Sequence, residues 1–331
     1  MPPRPALFTF DTFAASQLTV TTGAHEGDAI GRHTDVAAGD YYRLARAAMV
    51  QTLAICDRQD GTQEVADNST VGHPGDAITI ETCHTLMGEK SELIELLLVT
   101  IWSEARPVRH ILPLAPLVPG VDYILVNSET ESAPRRFADV VSVSFLAGTH
   151  LTMSDGSQRA VEDLSVGDNI LTRDHGARNI RWLEHQTRRA VGSAAPVRIT
   201  EGTLNCARDL RLTPQHRLFI WQRSDEVGAG RSEVMVKVDA LVNGTTILRE
   251  EGGHIDTYQI VFDAHEIIYA EGIAVESLLV TGQTRVLLPN DLALDAGEGR
   301  DAAAIELNTG DLPPDAAERL QQASKGRGPT R

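Results

Sequence analysis

Basic residues are in short supply. The 331 residues carry 46 acidic side chains against 30 basic ones, a formal net charge of -16 at pH 7. A nucleic-acid backbone is gripped by clustered lysine and arginine, so this balance argues against nucleic acid as a partner. Cysteine is scarcer still, with only Cys56, Cys83 and Cys206. An odd count gives no disulfide framework and the spacing matches no zinc pattern, so the three read as small apolar core residues and no metal site is expected. Cys83-His84 has no second pair to complete a ligand set. Long hydrophobic runs are missing as well. The longest, LIELLLVTIW from Leu93, is too short to span a bilayer and contains Glu95, so no membrane span is expected. The opening MPPRPALFTFDTFAAS lacks a basic stretch followed by an apolar one, so no secretory signal peptide is expected. The reading is a soluble protein, either cytoplasmic or exported by a route that needs no signal peptide.

A hydrophobic content of 42% is enough for a buried core, and the length suggests two domains with loose ends. Residues 1–138 contain short apolar runs broken by turn residues: GDAITIET, ELIELLLVTI and VDYILVNS. Their length and β-branched content predict strands, with a hairpin turn at 87–90 and a small β-rich N-terminal domain. YYRLARAAMVQTLAI, 41–55, fits helix or strand by periodicity. Nothing in this zone points to a role. The polar stretch 127–140, with Pro134, reads as a linker.

Residues 139–285 are densely stranded. NILTR and RNIRWL flank the turn Asp174-His175-Gly176, a predicted hairpin. Two-residue alternation puts Val234, Val236 and Val238 on one strand face, and Tyr258, Ile260 and Phe262 on another. These faces must be buried together in one core. VEDLSVGDNIL from Val161 and VDALVNGTTIL from Val238 align without gaps. Each is an apolar approach, a glycine turn and then a strand, as two units related by a pseudo-dyad would be. Residues 286–331 form a polar tail with a short helix expected from Pro313 and a disordered end, KGRGPTR.

Four stretches stand out by their order. SFLAGTHLTMSDG begins at Ser144, VEDLSVGDNILTRDHG at Val161, LTPQHRLFI carries Thr213 and His216, and FDAHEIIYAEG carries His265 and Gly272. Together they resemble the Hint module, the self-processing domain shared by inteins and Hedgehog C-terminal regions, over residues 144–279, in a protein of bacterial type. The resemblance implies an all-β Hint fold with pseudo-two-fold symmetry. It also implies autocatalytic cleavage before Ser144 by an N-to-O acyl shift, a single-turnover reaction within one chain that needs no cofactor. Ser144 would be the nucleophile. Thr213 and His216 would contact the scissile amide, and His265 would serve as auxiliary acid or base. The chain's own N-terminal segment would be the substrate, and the acceptor nucleophile is left open.

The sequence departs from the pattern at both ends of the module. Serine replaces the usual cysteine, and a hydroxyl needs stronger activation than a thiol. Glu276-Ser277 stands about where inteins place His-Asn, so asparagine cyclisation and full splicing are not expected. The rival reading is a retired Hint scaffold serving as a binding or structural β-module in an exported protein. A conventional hydrolase is disfavoured, since neither G-x-S-x-G nor H-E-x-x-H occurs.

Overall fold

A computed structural model of the chain describes residues 7–58, 62–67, 69–104, 106–222, 225–228, 230–292, 294, 312–313 and 315–325. Among these residues the protein is all-β apart from two α-helices, Ala133–Val141 (α1) and Ala316–Lys325 (α2), and short 3-10 turns. It divides into two compact units. One holds Pro5–Val141 together with Thr281–Leu287, and the other holds Ser142–Val280 and the chain from Leu288 on. No described helix is long and apolar enough to cross a membrane.

The N-terminal unit is a nine-stranded sheet, six of whose strands close into a ring. The ring runs Ala77–Met87, Gln63–Val65, Gln51–Asp57, Leu7–Ala14, Pro107–Pro113 and Leu93–Trp102, which pairs back onto Ala77–Met87. Asp122–Glu129 also pairs with Ala77–Met87 and carries Tyr41–Leu44 and then Leu18–Thr22. The ambiguous stretch 41–55 is thus two strand segments, Tyr41–Leu44 and Gln51–Asp57. The predicted turn after Met87 joins Ala77–Met87 to Leu93–Trp102. The unbroken run LIELLLVTIW has a physical cause. Leu97, Val99 and Ile101 enter one core, while Ile94, Leu96 and Leu98 enter another. A strand buried on both faces has no reason to alternate.

The expected linker at 127–140 is corrected by the structure, which ends a strand at Glu129 and forms α1 from Ala133. Pro134 falls in the first helical turn, where its missing N–H has no intrahelical partner to lose. Ala133, Phe137 and Val141, spaced by four, join the core with Phe8, Phe10 and Leu53. The intervening polar residues gave the stretch its linker-like look. α1 also packs against the 3-10 turn Thr284–Leu287, which buries Thr284 and Leu287.

In the second unit a six-stranded sheet runs Trp182–Arg189, His254–Val261, Phe145–Leu146, Leu210–Leu212, Val197–Ile199 and Ile247–Arg249. A second sheet runs Gln158–Ala160, His150–Thr152, Ile267–Ala270, Ile273–Glu276, Arg217–Trp221 and Glu233–Lys237, with the hairpin Asn169–Thr172 and Gly176–Asn179 joined to Ile267–Ala270. One apolar core takes side chains from both, including Val234, Val236, Val238, Ile260 and Phe262. The faint repeat has matching local structure. The 3-10 turn Val161–Asp163 leads to Asn169–Thr172, and the 3-10 turn Val238–Leu241 leads to Ile247–Arg249. Between them Gly167 and Gly244 both take positive φ, 95° and 71°, a backbone that glycine adopts without a Cβ penalty. The predicted helix near Pro313 forms as α2, and it is no loose tail, because Ala316, Ala317 and Leu320 enter this same core. Of the end KGRGPTR, 325–331, expected to be disordered, Lys325 instead closes α2, and residues 326–331 lie outside the described residues.

Candidate active site

Ser144 stands at the mouth of the short strand Phe145–Leu146, which lies between Leu210–Leu212 and His254–Val261. Leu210–Leu212 ends at Thr213, and a turn closes with the His216 N–H donating to the Thr213 carbonyl at 3.0 Å. Proline at the second turn position has its φ already set for such a turn, so T-P-Q-H returns histidine to the side of threonine. The sheet pairing delivers both to Ser144. Its amide N–H donates to Thr213 Oγ1 at 2.9 Å, and its carbonyl accepts from the Thr213 N–H at 3.3 Å. The Ser144 hydroxyl is fully buried and makes no hydrogen bond in the structure. An unmet buried hydroxyl is unfavourable by ~1–3 kcal/mol, and most folded proteins avoid it.

His216 is wholly buried and lies edge-on to Phe145, 4.8 Å between ring centroids. Its Nδ1 is 3.3 Å from the Ser144 carbonyl oxygen and its Nε2 is 2.9 Å from the Glu276 carbonyl oxygen. Both neighbours only accept hydrogen bonds. A neutral ring donates one proton, best placed on Nε2 at the shorter contact, and only the imidazolium would satisfy both. Burial holds the ring below the usual histidine range, against the upward pull of Glu276. His216 is therefore neutral at neutral pH.

Glu276 joins the remaining groups. The turn Glu271-Gly272, with φ of 48° and 83°, folds Ile267–Ala270 against Ile273–Glu276. Positive φ at both turn residues is what a tight two-residue hairpin needs. The Glu271 carboxylate accepts from the His150 N–H at 2.6 Å and Arg208 Nε at 2.9 Å, which secures a non-glycine residue there. The hairpin sets His265 beside Glu276, with His265 Nε2 3.2 Å from Glu276 Oε2. Glu276 Oε1 accepts from the Arg217 N–H and from Arg217 Nε, both at 2.9 Å. Burial alone would raise this carboxyl, but the Arg217 guanidinium and His265 outweigh it and hold it at about 2. Ser277 is tied to Glu266, its N–H donating to the Glu266 carbonyl at 2.8 Å and its Oγ accepting from the Glu266 N–H at 3.0 Å.

Residues 143–282 match the protein family described as the Hint domain. The chain carries a Hint domain. The crystal structure of the gp41-1 intein is similar at 10% identity over 40% of this chain and 96% of its own, with a TM-score of 0.25. No curated protein matches the chain.

The Hint domain brings the four sequence-predicted residues into one network in different ways. Thr213 touches the amide nitrogen of the Val143–Ser144 bond directly. His216 touches the carbonyl on the far side of Ser144 and the Glu276 carbonyl. His265 reaches the others through the Glu276 carboxylate. Sequence reasoning missed Glu276 and Arg217, which it treated as a missing His-Asn and an unremarked neighbour of His216. The signal was an acid placed on a strand whose neighbours Ile273 and Val275 are core residues. A buried acid requires a cation, and Arg217 directly follows the T-x-x-H.

Proposed function

We propose that this Hint domain cuts its own backbone before Ser144. The observation that carries this reading is the fully buried Ser144 hydroxyl without a partner, one residue from a peptide whose nitrogen is held by Thr213. In the acyl shift, Ser144 Oγ bonds to the Val143 carbonyl carbon and the C–N bond breaks. The hydroxyl proton ends on the departing nitrogen, leaving an ester and a free amine. Thr213, accepting from that nitrogen, is the group placed to manage its proton. His216 braces the peptide that follows the nucleophile. His265, acting through Glu276, is a positioning residue.

No base hydrogen-bonds Ser144 Oγ in this structure, so the shift is expected to be slow. That same fact is what favours the rival, a retired scaffold that serves as a binding module. With no asparagine at Glu276-Ser277, the expected product is a pair of fragments and never a splice.

Intact-mass spectrometry over days at neutral pH is expected to show fragments 1–143 and 144–331, while Ser144→Ala stays whole. Ser144→Cys is expected to cleave faster with dithiothreitol, because a thiol ionises at about 8.5 and its thioester is captured by thiols. Equal cleavage in wild type and Ser144→Ala removes Ser144 from the role. A folded Ser144→Cys protein that stays whole for days with thiol present hands the case to the binding module.

A further inference from the structure

The junction is clamped on three residues. Ser142 Oγ accepts from Gln259 Nε2 at 2.7 Å, and the Ser144 N–H is held by Thr213. Between them Val143 is 5% exposed and sits in an apolar cluster of its own with Val261, Leu278 and Leu288, bordered by Trp182, Val280 and Leu292. This cluster is separate from the main core of the Hint unit. Val261 ends the strand His254–Val261, and Leu278 follows Ile273–Glu276 with its N–H bonded to the Ile260 carbonyl at 3.0 Å. Leu288 and Leu292 lie beyond the residues that match the Hint family. A turn with the Leu292 N–H on the Pro289 carbonyl, 3.2 Å, brings both to the cluster.

We propose that Val261, Leu278 and Leu288 form the acyl-side pocket of the cleavage site, with Leu288 as its movable wall. The inference rests on the cleavage reading above. The pocket seats the side chain of the residue whose carbonyl is attacked, and so selects a small branched apolar residue at position 143. Seating fixes the carbonyl against Ser144 Oγ, and reactions of held groups gain from such alignment. The pocket also sets the order of events. The acyl shift needs no outside reagent and proceeds with the pocket closed. The second step does need one: water, a thiol or an amine bonds to the Val143 carbonyl carbon, the ester C–O bond breaks, and the nucleophile's proton returns to Ser144 Oγ. That reagent reaches a buried ester only when the Leu288–Leu292 segment lifts. The segment therefore governs which acceptors succeed, small ones before large ones.

The test is alkylation of the thiol introduced by Ser144→Cys in the full-length chain, read by peptide mass mapping, with buried Cys206 as the control for general unfolding. In the folded protein the new thiol is expected to react at least about 100-fold more slowly than in denaturant, since labelling waits for a local opening. Adding Leu288→Ser is expected to speed it about tenfold or more while Cys206 stays protected, because the wall loses its apolar contacts. Folded-state labelling at the denatured rate, or no acceleration by Leu288→Ser with Cys206 protected, overturns the pocket. Should Leu288→Ser expose Cys206 as well, Val143→Ala loosens the same pocket from inside; acceleration supports the proposal and an unchanged rate overturns it. Labelling needs no cleavage. A chain that never cleaves defeats the cleavage reading, while the labelling rates still decide the pocket.

Discussion

Both units bury histidine, and they do so to different ends. In the N-terminal barrel, His84 is fully buried with Nε2 2.9 Å from the Gly31 carbonyl and Nδ1 without a partner in the structure. His110 pairs with Thr12, Nδ1 3.3 Å from Oγ1. Each meets one polar neighbour. In the Hint unit Ser144, Thr213, His216, Glu276, Arg217 and His265 contact one another in a chain. Burying a polar group is unfavourable in either unit. Only in the second do the buried groups link, from four separate stretches of sequence, into one network that reaches the peptides on both sides of Ser144. Convergence, rather than burial, is what marks a site.

The largest expected break in that comparison is Glu276→Leu, which strips Arg217 and His265 of their shared carboxylate. Removing one member of a buried ion pair costs about 3–5 kcal/mol. Urea unfolding followed by a Hint-unit probe checks this, and a loss of less than about 1 kcal/mol would show that the network is ornamental.

Acid separates the units next. Burial pushes His84 down to about 4 from an ordinary 6.5. The unfolded chain therefore takes up the proton first, and stability falls as pH drops from 6.5 towards 4, by roughly 3 kcal/mol at full effect. Glu276 loses stability in the same direction, over a more acidic window. With its folded value depressed from 4.5 to about 2, its contribution is whole above 4.5 and fades as pH falls towards 2. His84→Gln keeps a donor but cannot titrate, so urea midpoints at pH 7 and pH 4.5 are expected to lie closer together than in wild type. His110 and His216, also lowered by burial, supply the slope that is left. An unchanged gap in His84→Gln would count against the buried neutral ring.

The smallest effect is the most telling about function. Thr213→Val removes the acceptor of a buried N–H and is expected to cost about 1–3 kcal/mol. Ser144→Ala removes a hydroxyl that bonds to nothing and is expected to be neutral or stabilising by up to about 1 kcal/mol. Thermal melts of the two variants side by side decide it. Equal losses would mean that Ser144 Oγ has a structural partner.

Much of this was legible in the sequence because it is local. T-P-Q-H is one turn, and the alternating Val234, Val236 and Val238 declare a strand face within five residues. The glycine turns of the repeat did the same. What escaped depends on distance or on context. Glu276 meets Arg217 across 59 positions, and no local pattern records that meeting. The helix α1 was hidden by Pro134 and by charges on its outer side, since polar content and proline look alike in a linker and in a helix's first turn. The cluster around Val143 was invisible because Leu288 and Leu292 lie in what reads as a polar tail.

One piece of the N-terminal unit has an awkward address. Thr281–Leu287 packs on α1 as part of that unit, yet lies across and beyond the end of the Hint match in the chain. A cut before Ser144 would therefore divide the chain along a line that the fold does not share, and the fragment beginning at 144 would own seven residues that group with the other unit and pack on α1. While the chain is whole, tethering holds them at an effective concentration of about millimolar order. Once it is cut, the buried Leu287 and the methyl of Thr284 contribute only about 2–4 kcal/mol, a contact of roughly millimolar strength or weaker. That contact alone would not hold the segment at micromolar protein. The N-terminal product then presents to solvent a side of α1 that it never shows in the precursor, so precursor and product would be told apart by a surface and not merely by a mass.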